Sequence, residues 1–101
     1  MNYKLYEEAR EELEQATAHY AEESERLGQE FLTEFENAIQ RIRDFPEAWG
    51  LIGKNVRLCQ LTRFPYGIVY FVKDDIIRVV AVAQLHRKPG YWKVRLKHPQ
   101  S

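Results

Sequence analysis

Apolar and polar positions change rhythm along the chain. Ala9, Leu13, Ala16 and Tyr20 recur at spacings of four, three and four, which marks one face of a helix starting near Glu7. Glu7, Glu8, Glu11, Glu12 and Glu14 largely fill its other faces, and glutamates near its start suit the helix dipole. This helix is expected to fade over residues 22–28. A second runs from near Gly28 to Phe45, with Phe31, Phe35, Ala38 and Ile42 as an apolar row that Leu32 and Ile39 widen. Pro46 stops it, because the residue before a proline resists helical geometry. The short break predicts an antiparallel helical hairpin. Ahead of it, Tyr3 and Leu5 alternate with Asn2 and Lys4, the pattern of a short first strand whose neighbour is not readable.

After residue 55 the period becomes two. Three runs rich in Val, Ile, Tyr and Phe, at 56–61, 67–73 and 76–83, read as antiparallel strands. Asp74-Asp75 is a two-residue loop, and Asp tolerates the positive φ angles of a hairpin turn. That loop pairs Val72 with Ile77, Phe71 with Arg78, Tyr70 with Val79, Val69 with Val80 and Ile68 with Ala81. One face then carries Ile68, Tyr70, Val72, Ile77, Val79 and Ala81 and needs a cover, which the phenylalanine-rich helix supplies. The other carries Val69, Phe71, Arg78, Val80 and Val82 and is expected to be less deeply covered. The connection 62–66 contains Pro65, which fits a loop and not a central ladder. Pairing symmetric about Phe64 sets Arg57 opposite Phe71, on the Arg78 face; a one-residue shift would flip it. Residues 47–55 read as a loop, with Trp49 over a core edge. The expected fold class is α+β, an N-terminal helical hairpin packed on a twisted antiparallel sheet, in a single domain of residues 1–101.

Composition alters this picture at one point. The net charge is zero, but residues 1–50 hold 13 acidic and 5 basic side chains, whereas residues 51–101 hold 2 and 10. The halves carry −8 and +8, which points to an anionic partner for the basic half, either nucleic acid or an acidic protein segment. Glutamates on exposed helix positions explain the acidic half alone. Cys59 is the single cysteine, so no internal disulfide forms, and it reads as a small packing residue. With no apolar leader and no run of transmembrane length, a cytoplasmic chain without membrane contact is expected.

Few motifs carry chemistry. Residues 50–54, GLIGK, are too short for a phosphate loop and lack its Ser or Thr. His19, His86, His98 and Cys59 are too scattered for a metal site, so neither metal nor cofactor is expected. His86 stands beside Arg87 and Lys88; cations favour its neutral form, which suits a proton acceptor, while the plainer reading is a strand-end residue bonding a local carbonyl. Arg87, Lys88, Tyr91, Trp92, Lys93 and Arg95 mix cations with rings. They can grip phosphate and stack on bases, or dock an acidic protein segment. Trp92 fits equally well folded back on the open sheet face.

The element order, together with Arg63-Phe64-Pro65-Tyr66, Tyr70, Ala81-Val82 and Arg87-Lys88-Pro89-Gly90-Tyr91-Trp92, resembles the RelE/ParE toxin superfamily of type II toxin–antitoxin, or plasmid-stabilisation, systems. The resemblance covers nearly the whole chain. It implies the α+β fold just described and a cognate antitoxin that neutralises the toxin in a hetero-oligomer. It offers two targets. The ParE-like branch poisons DNA gyrase; the RelE-like branch is an endoribonuclease that cleaves messenger RNA on the ribosome. A third possibility is an inactive module that regulates its operon with the antitoxin. The ribonuclease branch has an arginine directly after the aromatic residue or histidine that begins the central strand. Here Gly67 follows Tyr66, and Lys54, Arg57 or Arg63 compensates only if loops bring it close. The ParE-like branch is therefore preferred, with Arg57, Arg63, Arg78, Arg87, Trp92 and Arg95 as target-binding candidates. On the ribonuclease reading His86 is the base, Arg87 the phosphate clamp and Tyr91 the orienting residue.

Overall fold

A computed structural model describes residues 1–98; the last three residues of the expected domain lie outside the described residues. The chain forms β1 (Asn2–Leu5), α1 (Glu7–Glu23), α2 (Glu25–Asp44), β2 (Leu51–Gly53), β3 (Val56–Gln60), β4 (Tyr66–Lys73), β5 (Ile76–Gln84) and a C-terminal 3₁₀ helix (Tyr91–Lys97). The strands make one sheet in the order β1-β5-β4-β3-β2.

The helical hairpin is tighter than the spacing predicts. Ser24 alone separates the helices, ending α1 and capping α2 by accepting the Leu27 N–H at 3.1 Å. Gly28 thus lies inside α2, where a β-carbon would come within 2.9 Å of Ala21 Cβ, so the missing side chain lets the helices close. The Phe31, Phe35, Ala38 and Ile42 row is buried, as are Ile68, Tyr70, Ile77 and Val79 of the sheet. Phe31 meets Phe64 edge-on at 5.1 Å and stacks with Tyr20 at 5.3 Å, so the Phe64 loop belongs to the helix–sheet core.

The Asp74-Asp75 turn forms with φ of 55° and 59°, and Tyr70, Phe71 and Val72 pair with Val79, Arg78 and Ile77. Beyond Tyr70 the expected register is wrong. Val69 pairs with Ala81 and Ile68 with Val82, so Val80 is an extra, bulged residue. The bulge moves Val82 to the helix side with Ile68 and turns Ala81 to the other side with Val69. Val72, expected under the helices, is exposed at the hairpin tip. The Val69 face is covered in part: the 3₁₀ helix lays Trp92, 5% exposed, against it and Val69 and Val80 are buried, while Leu58, Phe71 and Arg78 stay half-buried.

Three further expectations need correction. Arg57 pairs with Tyr70, not Phe71, and so lies on the face opposite Arg78. The Leu61 N–H bonds Tyr66 O at 2.9 Å, while Glu34 accepts the Thr62 and Arg63 amides, which shortens the connection by one position. Residues 51–53, read as loop, form edge strand β2 against β3. The sheet is also mixed, since β1 runs parallel to β5. No helix among the described residues is long and apolar enough to cross a membrane.

Candidate functional site

β1 is shorter than the β5 edge it lies against. Its last backbone bond, from the Tyr6 N–H, reaches Val79 O, and beyond that point two side chains take the place of a strand. Glu12 accepts the Val82 N–H at 3.1 Å, and Arg95 donates to Val80 O at 2.9 Å. The two side chains pair with each other at 2.8 Å, each little exposed. Buried edge amides and carbonyls need such partners.

Glu12 gathers the tail as well. Its Oε2 accepts from the Tyr91 hydroxyl at 2.7 Å, Arg95 Nη2 at 3.0 Å and Arg87 Nη1 at 3.3 Å. The Arg87 guanidinium lies 3.7 Å from the Tyr91 ring centroid. Burial, and then the bond to Glu12, push the Tyr91 phenol well above its ordinary range. Desolvation works to lower the Arg95 value, but Glu12 outweighs it and the value is raised.

Three candidates, Arg87, Tyr91 and Arg95, are therefore brought together on one carboxylate. Trp92 sits beside them but faces the sheet. His86 is exposed in the turn that leads to the tail. The remaining arginines lie elsewhere. Arg57 donates to Glu47 O at 3.1 Å and Trp49 O at 2.7 Å, and so holds the loop after α2. Arg63 pairs with Glu30 at 2.7 Å, and Arg78 reaches Lys73 O at 3.5 Å and Asp74 at 3.8 Å. Glu12 was missed, counted among the polar-face glutamates. The signal was its spacing, three residues after Ala9 and four before Ala16, which puts it on the buried face of α1.

Between the tail and the sheet lies an open cleft of about 380 Å³. Its floor is Leu58, Val69 and Ala83, its tail side is Arg87, Lys88, Trp92 and Lys93, and Ile52 closes the β2 end. Neither Lys54, Arg57 nor Arg63 lines it. Gly67 borders this face: a β-carbon there would fall 2.6 Å from Leu58 Cδ1, so the position has no room for a side chain while Leu58 keeps its place. Among the described residues no cluster of His, Cys, Asp and Glu has the form of a metal site.

The sequence model of the ParE toxin of type II toxin–antitoxin systems, parDE, matches residues 3–89. The chain belongs to this family. It is the toxin component of a type II toxin–antitoxin system, with the α+β architecture expected of a ParE-like chain. A solved structure described as the chromosomal ParDE TA system from P. aeruginosa contains a similar chain, at a TM-score of 0.61 and 16% identity, covering 85% of this ParE-family chain and 97% of that one. At that identity the likeness concerns the fold. No curated protein matches by sequence.

Proposed function

We propose that this ParE-family toxin acts on DNA gyrase in the cytoplasm and is neutralised by a cognate antitoxin with which it forms a hetero-oligomer. The observation that carries the choice of target is Gly67. A nuclease of the related branch carries a phosphate-binding arginine there, whereas Gly67 offers no cation and Leu58 Cδ1 packs 2.6 Å from where its β-carbon would stand. Two further contacts support the reading. Tyr91, the orienting residue of the nuclease reading, is held by Glu12, and Arg87, its clamp, leans on the same carboxylate at 3.3 Å while staying half exposed. Transition-state stabilisation in phosphoryl chemistry needs cations aimed at the phosphate and not at an internal carboxylate.

The test is induction of the chain in a bacterial host, followed by two measurements. Gyrase–DNA adducts with induction of the DNA-damage response are expected, and cleaved message in translating ribosomes is not. Cleaved message without adducts would reverse the assignment. His86→Ala is expected to leave growth inhibition intact; on the nuclease reading it removes a general base, worth about 10²–10⁴ in rate. Co-expression of the adjacent small gene is expected to restore growth.

A further inference from the structure

We propose that the cavity beside the tip of the β4–β5 hairpin binds a small carboxylate ligand, an N-acylated amino acid, whose carboxylate meets Arg57 and whose amide pairs with the Val72 backbone. This cavity shares no lining residue with the cleft under the 3₁₀ helix, and the inference does not depend on the target chosen above.

The site starts from a strand that outruns its neighbour. The pairing of β3 with β4 ends at Arg57 and Tyr70, and the chain before β3 turns away at Asn55, φ 62°. Leu61 bonds Tyr66 across this ladder, and bonded pairs of antiparallel strands recur at every second residue. Arg57 with Tyr70 is therefore such a pair, and Val72 is the next position whose N–H and C=O point toward β3. No strand is there to meet them, and neither group has a backbone partner on that side among the described residues. One donor and one acceptor of the ladder thus stay open. They border a cavity of about 530 Å³, a volume typical of small-molecule sites.

Arg57 lines the same cavity and is held in place. Its Nη1 donates to Glu47 O at 3.1 Å and Trp49 O at 2.7 Å. A guanidinium has five N–H donors, so the two contacts leave Nε and Nη2, with three, without a bond among the described residues. A guanidinium already fixed by its loop loses little freedom on meeting a carboxylate, for which its fork is shaped. Lys73 adds a second cation to the lining. Glu47 is its acidic member and lends Arg57 its carbonyl; its carboxylate forms no ion pair among the described residues.

These open groups specify the guest. The Arg57 fork and the Val72 N–H call for an anion with several acceptor positions. The Val72 C=O calls for an N–H close to that anion. An amide beside a carboxylate supplies both, whereas inorganic phosphate leaves the carbonyl unpaired. Phe71, Val72 and Pro46 form the apolar part of the lining, and Val72 is 41% exposed, so an apolar substituent on the ligand gains burial there.

The probe is N-acetyl-leucine, titrated onto the full chain by calorimetry, with amide shifts followed by NMR. Binding is expected, with the largest shift at the Val72 amide. Arg57→Gln is expected to weaken it about tenfold or more, as for a lost hydrogen bond to a charged group. Because Arg57 also holds its loop, Val72→Pro is the second variant. It removes the open N–H at a position where no ladder bond is broken, and is expected to weaken binding while the chain stays folded. The methyl ester of N-acetyl-leucine is expected not to bind. Absence of binding by N-acetyl-leucine, equal binding of acid and ester, or wild-type affinity in Val72→Pro would overturn the proposal. So would inorganic phosphate that displaces the ligand at equal concentration. An acetylated pentapeptide ending in leucine separates the sources of this chemistry. Affinity equal to that of N-acetyl-leucine supports a small ligand; much tighter binding would overturn that assignment in favour of the carboxyl end of a protein.

Discussion

Glu12 accepts five hydrogen bonds and is only 13% exposed, so its removal affects several partners at once. Glu12→Ala strands the Arg95 guanidinium and leaves the Val82 amide without a partner. Breaking a buried ion pair from one side costs about 3–5 kcal/mol, and urea denaturation is expected to show a loss of that size. Glu12→Gln keeps acceptors for the Val82 N–H and the Tyr91 hydroxyl but loses the charge. Its stability loss is expected to be smaller, and the Tyr91 phenol is expected to fall back toward its ordinary range, visible as earlier tyrosinate absorbance in an alkaline titration. This residue also marks how far the site was legible. Arg87, Tyr91 and Arg95 stood out as a cluster of cations with a ring. What they serve did not, because their common partner lies some eighty positions earlier in a run of glutamates, and only its place on the Ala9–Ala16 side of α1 separates it from its neighbours.

At the level of elements, local rules reached as far as local causes extend. The hairpin turn at Asp74-Asp75 and the phenylalanine stripe of α2 were readable, since turn chemistry and period decide them. The Val80 bulge was not, because Val79-Val80-Ala81-Val82 offers four small apolar residues that suit either face. Nor was the partner of β1, which depends on how α1 returns the chain across the sheet. β2 was hidden by Gly50 before it and Gly53 at its end. Two joints between elements lend themselves to tests. At Gly28 an added methyl would gain about 1 kcal/mol of helix propensity, but the close approach to Ala21 makes it overpacked, at about 1–3 kcal/mol. Gly28→Ala is thus expected to lower the melting temperature modestly. Tyr70 ties β4 to the end of the helical hairpin through its hydroxyl, which donates to Pro46 O at 2.7 Å. Burial pushes its phenol up to about 12, with the nearby Cys59 adding to the rise. A group whose value is raised on folding stabilises fully below its unfolded value and loses that contribution as pH climbs through the folded one. About 2–3 kcal/mol is therefore lost between pH 10 and about 12. Tyr70→Phe is expected to flatten this part of the stability profile in denaturant melts, at the expense of the bond to Pro46.

Across the whole molecule, the opposite charges of the two halves are partly joined. Glu12 and Glu30 reach from the acidic hairpin to Arg87, Arg95 and Arg63, and Glu34 takes the amides of Thr62 and Arg63. The same division that points to an external anionic partner thus also fastens the helices to the sheet half. Acid loosens this fastening at Glu30 once its carboxylate takes up a proton. The hydrogen bond from Arg63 holds its carboxyl below the usual carboxylate value against desolvation, with the charge of Arg63 and the hydrogen bond and charge of Arg26 assisting. Because the folded value is depressed, the contribution is present above the ordinary carboxylate range and disappears as pH falls through the folded value. Thermal melts taken from neutral pH downward are therefore expected to show wild type converging on Glu30→Gln only in the acid limb, below the ordinary Glu value. At neutral pH the variant is expected to melt lower, by a margin that shrinks with added salt because the pair is partly exposed. A variant that melts like wild type at neutral pH and low salt would mean that the Glu30–Arg63 contact carries none of the attachment between the halves.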